Sequence, residues 1–310
     1  MPGVTRKISV VIPVYRNEKA ITLTYQKIRG ICEAKLAHLA REFVFVDDGS
    51  DDGSLAELIA IKNADPSVTI ISFTRNFGQM AAILAGLKAS TGDLVLQLSA
   101  DLQDPAELIP QMVAAHETGS EVVIAYREDR ADSLSAQIAS RLFYAIVRLS
   151  FPQIPPGGFD YLLMGRRALD AFNAIDVRNR FFQGDVLWLG YSTTFIPYRR
   201  AKRTIGRSQY TFAKRLKNSL DAILDSSYLP IRFISLAGVL TALAGFLYAL
   251  DIVYYRLRHH TVPPGWAPIM IVTLLIGGML MLMLGIIGEY VWRIYDEVKG
   301  KPNYIIRDTY

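Results

Sequence analysis

Cysteine is nearly absent from these 310 residues: Cys32 stands alone, which excludes an intrachain disulfide and every cysteine-rich zinc site. Histidine is scarce too, and His38, His116, His259 and His260 show no metal-ligand spacing. The N-terminus has no apolar run long enough for a cleavable signal. Arg6-Lys7 leads straight into Ile8-Ser9-Val10-Val11-Ile12-Pro13, which reads as a first strand. No G-x-G-x-x-G follows that strand, where Pro13 and Tyr15 stand instead, and no Walker A loop occurs. A Rossmann dinucleotide site and a P-loop are therefore not expected.

Apolar residues are plentiful. They make up 51% of the chain and give a mean hydropathy of +0.22, with the excess in the C-terminal third. A formal charge of +5 and a pI near 9.2 fit nucleic acid, an anionic membrane surface or a phosphorylated substrate. The basic residues gather at Arg199, Arg200, Lys202, Arg203, Arg207, Lys214, Arg215 and Lys217. That block adjoins the apolar third and has little aromatic interleaving, so nucleic acid is not expected.

From residue 7 to about 126, short apolar runs alternate with helical stretches, the pattern of βαβ units around a parallel sheet. Strands are expected at 7–12, 42–46, 68–73, 93–98 and 121–125, and helices at 18–39, 54–63, 78–90 and 105–118. Ser50-Asp51-Asp52-Gly53-Ser54 offers an N-cap to the second helix. Beyond these come an expected helix over 133–150, a Pro/Gly loop over 151–158, a helix over 165–175 and a strand near 193–198. An amphipathic segment over roughly 213–228 ends at Pro230.

Residues 233–255 and 267–288 are almost uninterrupted apolar runs of about 20 residues, the length that crosses a hydrocarbon core. They read as two membrane helices rather than a buried hairpin of a soluble core. Tyr248, Tyr254, Tyr255, Trp266, Tyr290 and Trp292 lie toward their ends, as interfacial aromatics do. Basic residues flank the pair mainly on the outside: the block 199–217 and Arg232 before it, and Arg293, Lys299, Lys301 and Arg307 after it. Arg256 and Arg258 lie between the two runs. The positive-inside tendency puts both chain ends in the cytoplasm, with the basic block beside anionic headgroups.

Ligands of open parallel sheets sit at the carboxyl ends of the strands. Four successive expected ends are polar: Tyr15-Arg16-Asn17-Glu18, Asp47-Asp48-Gly49-Ser50, Thr74-Arg75-Asn76 and Ser99-Ala100-Asp101-Leu102-Gln103-Asp104-Pro105. So many acids at one edge repel each other unless a cation or a basic ligand neutralises them. Asp101, Gln103 and Asp104 supply two carboxylates and an amide, hard oxygen donors of the kind that Mg²⁺ or Mn²⁺ shares with substrate phosphates. The alternative for that phrase is a strand running into an Asp-Pro turn.

Val11-Ile12-Pro13-Val14-Tyr15-Arg16-Asn17-Glu18, Val46-Asp47-Asp48-Gly49-Ser50, Arg75-Asn76-Phe77-Gly78 and Ala100-Asp101-Leu102-Gln103-Asp104-Pro105 resemble motifs of family 2 glycosyltransferases with a GT-A fold. Within them the chain is similar to polyisoprenyl-phosphate glycosyltransferases, relatives of dolichyl-phosphate mannose synthase and bacterial undecaprenyl-phosphate glucosyltransferases. The likeness runs nearly end to end, including Gly288-Glu289-Tyr290 and Lys301-Pro302-Asn303-Tyr304-Ile305. It implies an α/β GT-A domain with a mostly parallel sheet over 1–212, an amphipathic juxtamembrane segment over 213–232, a transmembrane hairpin over 233–292 and a cytoplasmic tail over 293–310. The implied reaction is an inverting transfer of one hexose, from a UDP-glucose-like or GDP-mannose-like donor to undecaprenyl or dolichyl phosphate, at the cytoplasmic membrane face.

Residue by residue, the resemblance assigns Pro13, Tyr15, Glu18, Asp47, Asp48 and Asn76 to the nucleotide, and Asp101 and Gln103 to Mg²⁺ or Mn²⁺. Ser99 stands where many relatives have Asp. Asp160-Tyr161-Leu162-Leu163-Met164-Gly165-Arg166-Arg167 resembles the family's Asp-Phe-Arg-Leu-Met-Asp-Arg segment, with Leu162 and Gly165 replacing Arg and Asp. Asp160, with Asp101, is then a candidate catalytic carboxylate, as base or as orienting group. An acceptor phosphate monoester with a second pKa of about 6 is already mostly dianionic at pH 7. Arg127, Arg130, Arg141, Arg200, Arg203 and Ser208 match positions expected at the phosphates, and Gln209 stands where Lys is usual. The implied partners are a nucleotide-sugar donor, a polyprenyl phosphate, the bilayer and further copies of the chain, such as a tetramer.

Two rivals stand beside this reading. A processive polysaccharide synthase shares the domain but usually carries Gln-x-x-Arg-Trp and more membrane spans, whereas here Gln183 leads to Gly184-Asp185-Val186. A non-catalytic, membrane-anchored nucleotide-sugar-binding protein is opposed by Asp47, Asp48, Asp101, Gln103, Arg200 and Arg203, while Ser99, Leu162 and Gln209 leave room for it.

Overall fold

β1 (Lys7–Val14) has seven of its eight residues buried, because it is paired on both edges and covered on both faces. It lies parallel to β2 (Ala40–Asp47) on one side and to β4 (Leu94–Gln97) on the other. β3 (Val68–Phe73) continues the parallel ladder beyond β2. On the far side, β6 (Tyr161–Gly165) runs antiparallel between β4 and β5 (Val122–Arg127), and β7 (Thr193–Tyr198) lies parallel to β5. β8 (Ile306–Thr309) adds antiparallel to β3, so the sheet order is β7-β5-β6-β4-β1-β2-β3-β8. The computed structural model describes residues 6–101, 103–128, 143–175, 177, 180–199, 229–259 and 265–310.

Apolar side chains cover both faces of the sheet. On one, Ile8, Val10, Ile12, Phe43 and Phe45 pack with Tyr25 and Ile28 of α1 (Ile21–Lys35), Leu58 of α2 (Ser54–Ala64) and Met112 of α4 (Ile109–Glu117). On the other, Val11, Val44, Val95 and Ile124 pack with Ala82 and Leu87 of α3 (Gln79–Ala89) and with Val147, within the helical residues 143–150 (α5). Leu169 and Phe172 of α6 (Arg166–Asn173) and Val186 of α7 (Phe182–Trp188) complete that side. The order places a switch point between β1 and β4, since the chain leaves β1 toward β2 but returns from β3 to β4.

The expected strands and helices of the first half are present with shifted ends. α1 starts at Ile21 rather than 18 because Arg16 and Lys19 adopt positive φ, 52° and 71°, which a helix does not accept. Three elements carry no usable sequence signal. β6 reads without a break into the helix that follows, α7 is only seven residues, and every residue of β8 is exposed, leaving no alternation to detect.

The chain divides into two compact units: Met1–Ile223 with Pro302–Tyr310, and Leu224–Lys301. The second holds the helices Leu229–His259 and Trp266–Val298. Within them, Ile234–Tyr255 and Ile269–Val298 are long and apolar enough to cross a membrane, with mean hydropathies of 2.0 and 2.6 and none of either window buried. The helices touch where the Thr241 hydroxyl meets the Met279 sulfur at 3.0 Å. Glu289 and Arg293, one turn apart, form an ion pair at 3.3 Å.

In the first unit the tail is fastened at more than the β8 ladder. Tyr304 stacks on Phe73 at 4.9 Å and 12°, the Thr74 N–H donates to the Ile305 carbonyl, and the Arg307 guanidinium donates to the Thr74 carbonyl. An aromatic pair of this kind contributes about 1 kcal/mol beyond its burial. Tyr304→Ala is expected to speed amide exchange at Ile70 and Thr74 by roughly fivefold or more, with Tyr304→Phe near wild type; mass-spectrometric hydrogen exchange checks both.

Candidate active site

β4 stops early, and that opens the site. The Leu98 N–H donates to the Val11 carbonyl at 3.2 Å, so Val11 faces β4. Pro13, two residues on, presents the same edge where β4 no longer pairs beyond Gln97. Its missing N–H therefore costs no ladder bond. The ends of β2 and β4 flank this gap, two strand spacings or about 10 Å apart.

On the β2 side three loops are stitched together. The Arg16 N–H donates to Ser50 Oγ and the Asn17 N–H to Ser54 Oγ, while Arg16 forms a two-pronged pair with Asp51 at 2.5 Å. Asp47 and Asp48 are 1% and 2% exposed, and buried carboxylates need donors. Asp47 accepts from the Ser50 N–H and the Ser72 hydroxyl. Asp48 accepts from the Phe77 N–H at 2.6 Å and the Gly78 N–H at 2.9 Å, which fixes the loop after β3. Gly49, at φ +65°, permits the approach: a Cβ there would lie 2.3 Å from the Arg75 carbonyl carbon. Pro13 is buried within β1, Tyr15 is half-buried with the Arg16 guanidinium over its ring, and Glu18 and Asn76 are exposed.

On the β4 side, one Asp101 oxygen accepts the Gln103 N–H at 3.2 Å, and Asp101 is 7% exposed. Among the described residues no group of three or more His, Cys, Asp or Glu could hold a metal. The donor set of Asp101 and Gln103 instead fits a hard cation that takes its remaining oxygens from substrate phosphate and water. The Ser99 hydroxyl is not directed to such a role, because it and the Ser99 N–H both donate to Asp104.

Asp104, which the sequence offers as a turn or helix-start residue, is 3% exposed and also accepts the Tyr198 hydroxyl at 2.7 Å. Tyr198 is the register partner of Arg127 across β5 and β7, its phenol interacts electrostatically with the guanidinium, and Arg127 reaches Asp160 at 3.4 Å. Burial, then the Asp104 charge, pushes the Tyr198 phenol up, so it remains a donor. Asp160 is exposed. Sequence alone gives no sign of this cluster, since Asp-Pro reads as a turn wherever it occurs. Arg130, Arg141, Arg200, Arg203 and Ser208 lie outside the described residues.

Residues 9–172 match the pattern of Glycosyl transferase family 2. The chain belongs to that family. It is 34% identical over 306 residues to the SfII prophage-derived bactoprenol glucosyl transferase of Shigella flexneri, covering 98% of each chain. It is 37% identical over 304 residues to the uncharacterized glycosyltransferase YkcC of Bacillus subtilis (strain 168), covering 97% of this chain and 94% of the other. Among solved structures, glucosyl-3-phosphoglycerate synthase from Mycobacterium tuberculosis in complex with Mn²⁺, uridine-diphosphate-glucose and phosphoglyceric acid shares the fold. Its TM-score is 0.50 at 20% identity, over 70% of this chain and 77% of that one. The same synthase with phosphoglyceric acid alone gives 0.51 at 20% identity, over 72% and 82%.

The sheet is thus of the GT-A-like, mixed α/β kind, and the family and its relatives indicate a transferase. Two departures from the family segment have structural reasons in this family 2 chain. Leu162 sits fully buried in the core on the α6 side of the sheet. Gly165 ends β6 where a Cβ would fall 2.6 Å from the His116 ring and 2.7 Å from the Glu121 carboxylate.

Burial, with Asp47 adding repulsion, pushes Asp48 up to about 6 against the pull of the Phe77 and Gly78 N–H groups. Its carboxylate gains a proton as pH falls through that value and becomes a weaker acceptor. Protection factors of the Phe77 and Gly78 amides are expected to drop between about pH 7 and pH 5. Asp48→Asn should lower them at pH 7 and remove the step, which hydrogen exchange corrected for intrinsic rates will read.

Proposed function

We propose that this family 2 member moves a single hexose from a nucleoside-diphosphate sugar to a polyprenyl phosphate at the cytoplasmic membrane face, with inversion at the anomeric carbon. The observation that carries the reading is the end-to-end likeness to proteins named bactoprenol glucosyl transferase, which extends through both long apolar helices. Those names favour glucose, and hence UDP-glucose over GDP-mannose. The helices Leu229–His259 and Trp266–Val298 cross the bilayer as a hairpin and so tether the chain to the membrane that holds the lipid phosphate.

Tyr15, Glu18, Asp47, Asp48 and Asn76 form the nucleotide side, with Pro13 opening the gap beside β4. Asp101 and Gln103 would hold Mg²⁺ or Mn²⁺, which would supply positive charge to offset that developing on the departing nucleoside diphosphate. The acceptor phosphate is mostly dianionic at pH 7 and attacks without giving up a proton. Asp160 therefore acts through its pair with Arg127, holding the guanidinium where it meets an incoming phosphate. Arg130, Arg141, Arg200, Arg203 and Ser208 add positive charge and hydrogen bonds around both phosphates. The chain works as a homo-oligomer.

The full chain in detergent, given undecaprenyl phosphate, Mn²⁺ and a panel of UDP- and GDP-sugars, is expected to form glucosyl lipid from UDP-glucose. Asp101→Ala should lower the rate by roughly a hundredfold or more, and EDTA should abolish it. Folded protein that forms no lipid-linked product from any donor would sink the reading.

A further inference from the structure

Ser99, Asp104, Tyr198, Arg127 and Asp160 come from four places in the chain and lie in one cluster across the ends of β4, β5, β6 and β7, joined by the Ser99–Asp104, Asp104–Tyr198 and Arg127–Asp160 contacts and by the register pairing of Tyr198 with Arg127. Asp104 is its hub. It closes the turn 99–104 by accepting both donors of Ser99, and that turn carries Asp101 and Gln103. Tyr198 is the last residue of β7, in register with Arg127, and the Glu128 N–H donates to its carbonyl at 3.0 Å. The arginine-rich segment begins at the next residue, Arg199. The ring of Tyr198 is independently packed edge-on to Tyr161 at 6.1 Å.

We propose that Asp104 and Tyr198 are positioning residues: their buried hydrogen bond ties the root of the basic segment, and through Arg127 the acid Asp160, to the turn bearing Asp101 and Gln103. The inference rests on the transferase reading above and adds to it the element that keeps the acceptor side in register with the donor diphosphate. Neither residue touches substrate. Their effect comes from geometry, because a reacting phosphate displaced by a fraction of an ångström loses alignment with the anomeric carbon. A charge-assisted, buried bond is stiff enough for this, and removing one partner leaves the other unanswered.

The test uses the full chain in detergent with undecaprenyl phosphate and the donor that wild type accepts. Tyr198→Phe keeps the ring packing and deletes only the hydroxyl. It is expected to lower kcat/KM for the lipid phosphate by roughly tenfold or more while the Kd for the nucleoside diphosphate stays within twofold. Asp104→Asn should fall at least as far, and the double variant no further than Asp104→Asn alone. Tyr161→Phe, which deletes the neighbouring phenol bonded at 3.4 Å to the Pro105 carbonyl, should stay within twofold of wild type. Hydrogen exchange at the Ser99 and Gln103 amides gives a readout independent of turnover and should accelerate in Tyr198→Phe. Unchanged exchange, independent effects that multiply, or an equal loss in nucleotide affinity overturns the proposal. Accelerated exchange in a chain inactive with every donor upholds the coupling and overturns the transferase reading instead.

Discussion

Parallel pairing of β1 with β2 on one edge and β4 on the other is the constraint on which the rest depends. Parallel strands need crossover helices, the helices cover both faces, and the carboxyl ends of β1, β2, β3 and β4 fall on one rim. The early end of β4 and the missing N–H of Pro13 then leave an opening beside β1 that polar side chains can line without breaking a ladder. The candidate site is a property of that rim.

The acids of the rim fall into two groups by burial. Asp47, Asp48 and Asp104 are sealed from water, and each is answered by donors from another segment: Ser72, the Phe77 and Gly78 amides, and Tyr198. Such groups join segments together, since withdrawing any donor leaves a buried charge without compensation. Glu18 and Asp160 stay exposed, and an exposed carboxylate is available to a ligand without first giving up a structural partner. Asp101 lies between the two groups, 7% exposed and bonded within its own turn.

Much of this was legible beforehand, for physical reasons that can be named. β1 to β5 announce themselves because strands buried on both faces are continuous apolar runs, and the polar residues after them stand out by contrast. β6 merges with α6, and β8 is exposed throughout, so periodicity carries no trace of either. The candidate site divides in the same manner. Asp101 and Gln103 are visible as oxygen donors after a strand, whereas the work of Asp104 depends on Tyr198, ninety-four positions away. Ser99 shows the same limit: its hydroxyl resembles a weak ligand in the sequence and serves Asp104 in the fold. Gly165 looks like a lost acid until His116 and Glu121 are seen to occupy the space a side chain would need.

β8 also sets an order of events. It is translated after both long helices, yet it belongs to the sheet unit that begins at the other end of the chain. While a nascent chain is being made, the outer edge of β3 stays unpaired, and open edges recruit foreign strands. A chain cut short before Ile306 keeps that edge exposed permanently. β8 thus orders the assembly: only a molecule that has already made both apolar helices can pair the outer edge of β3.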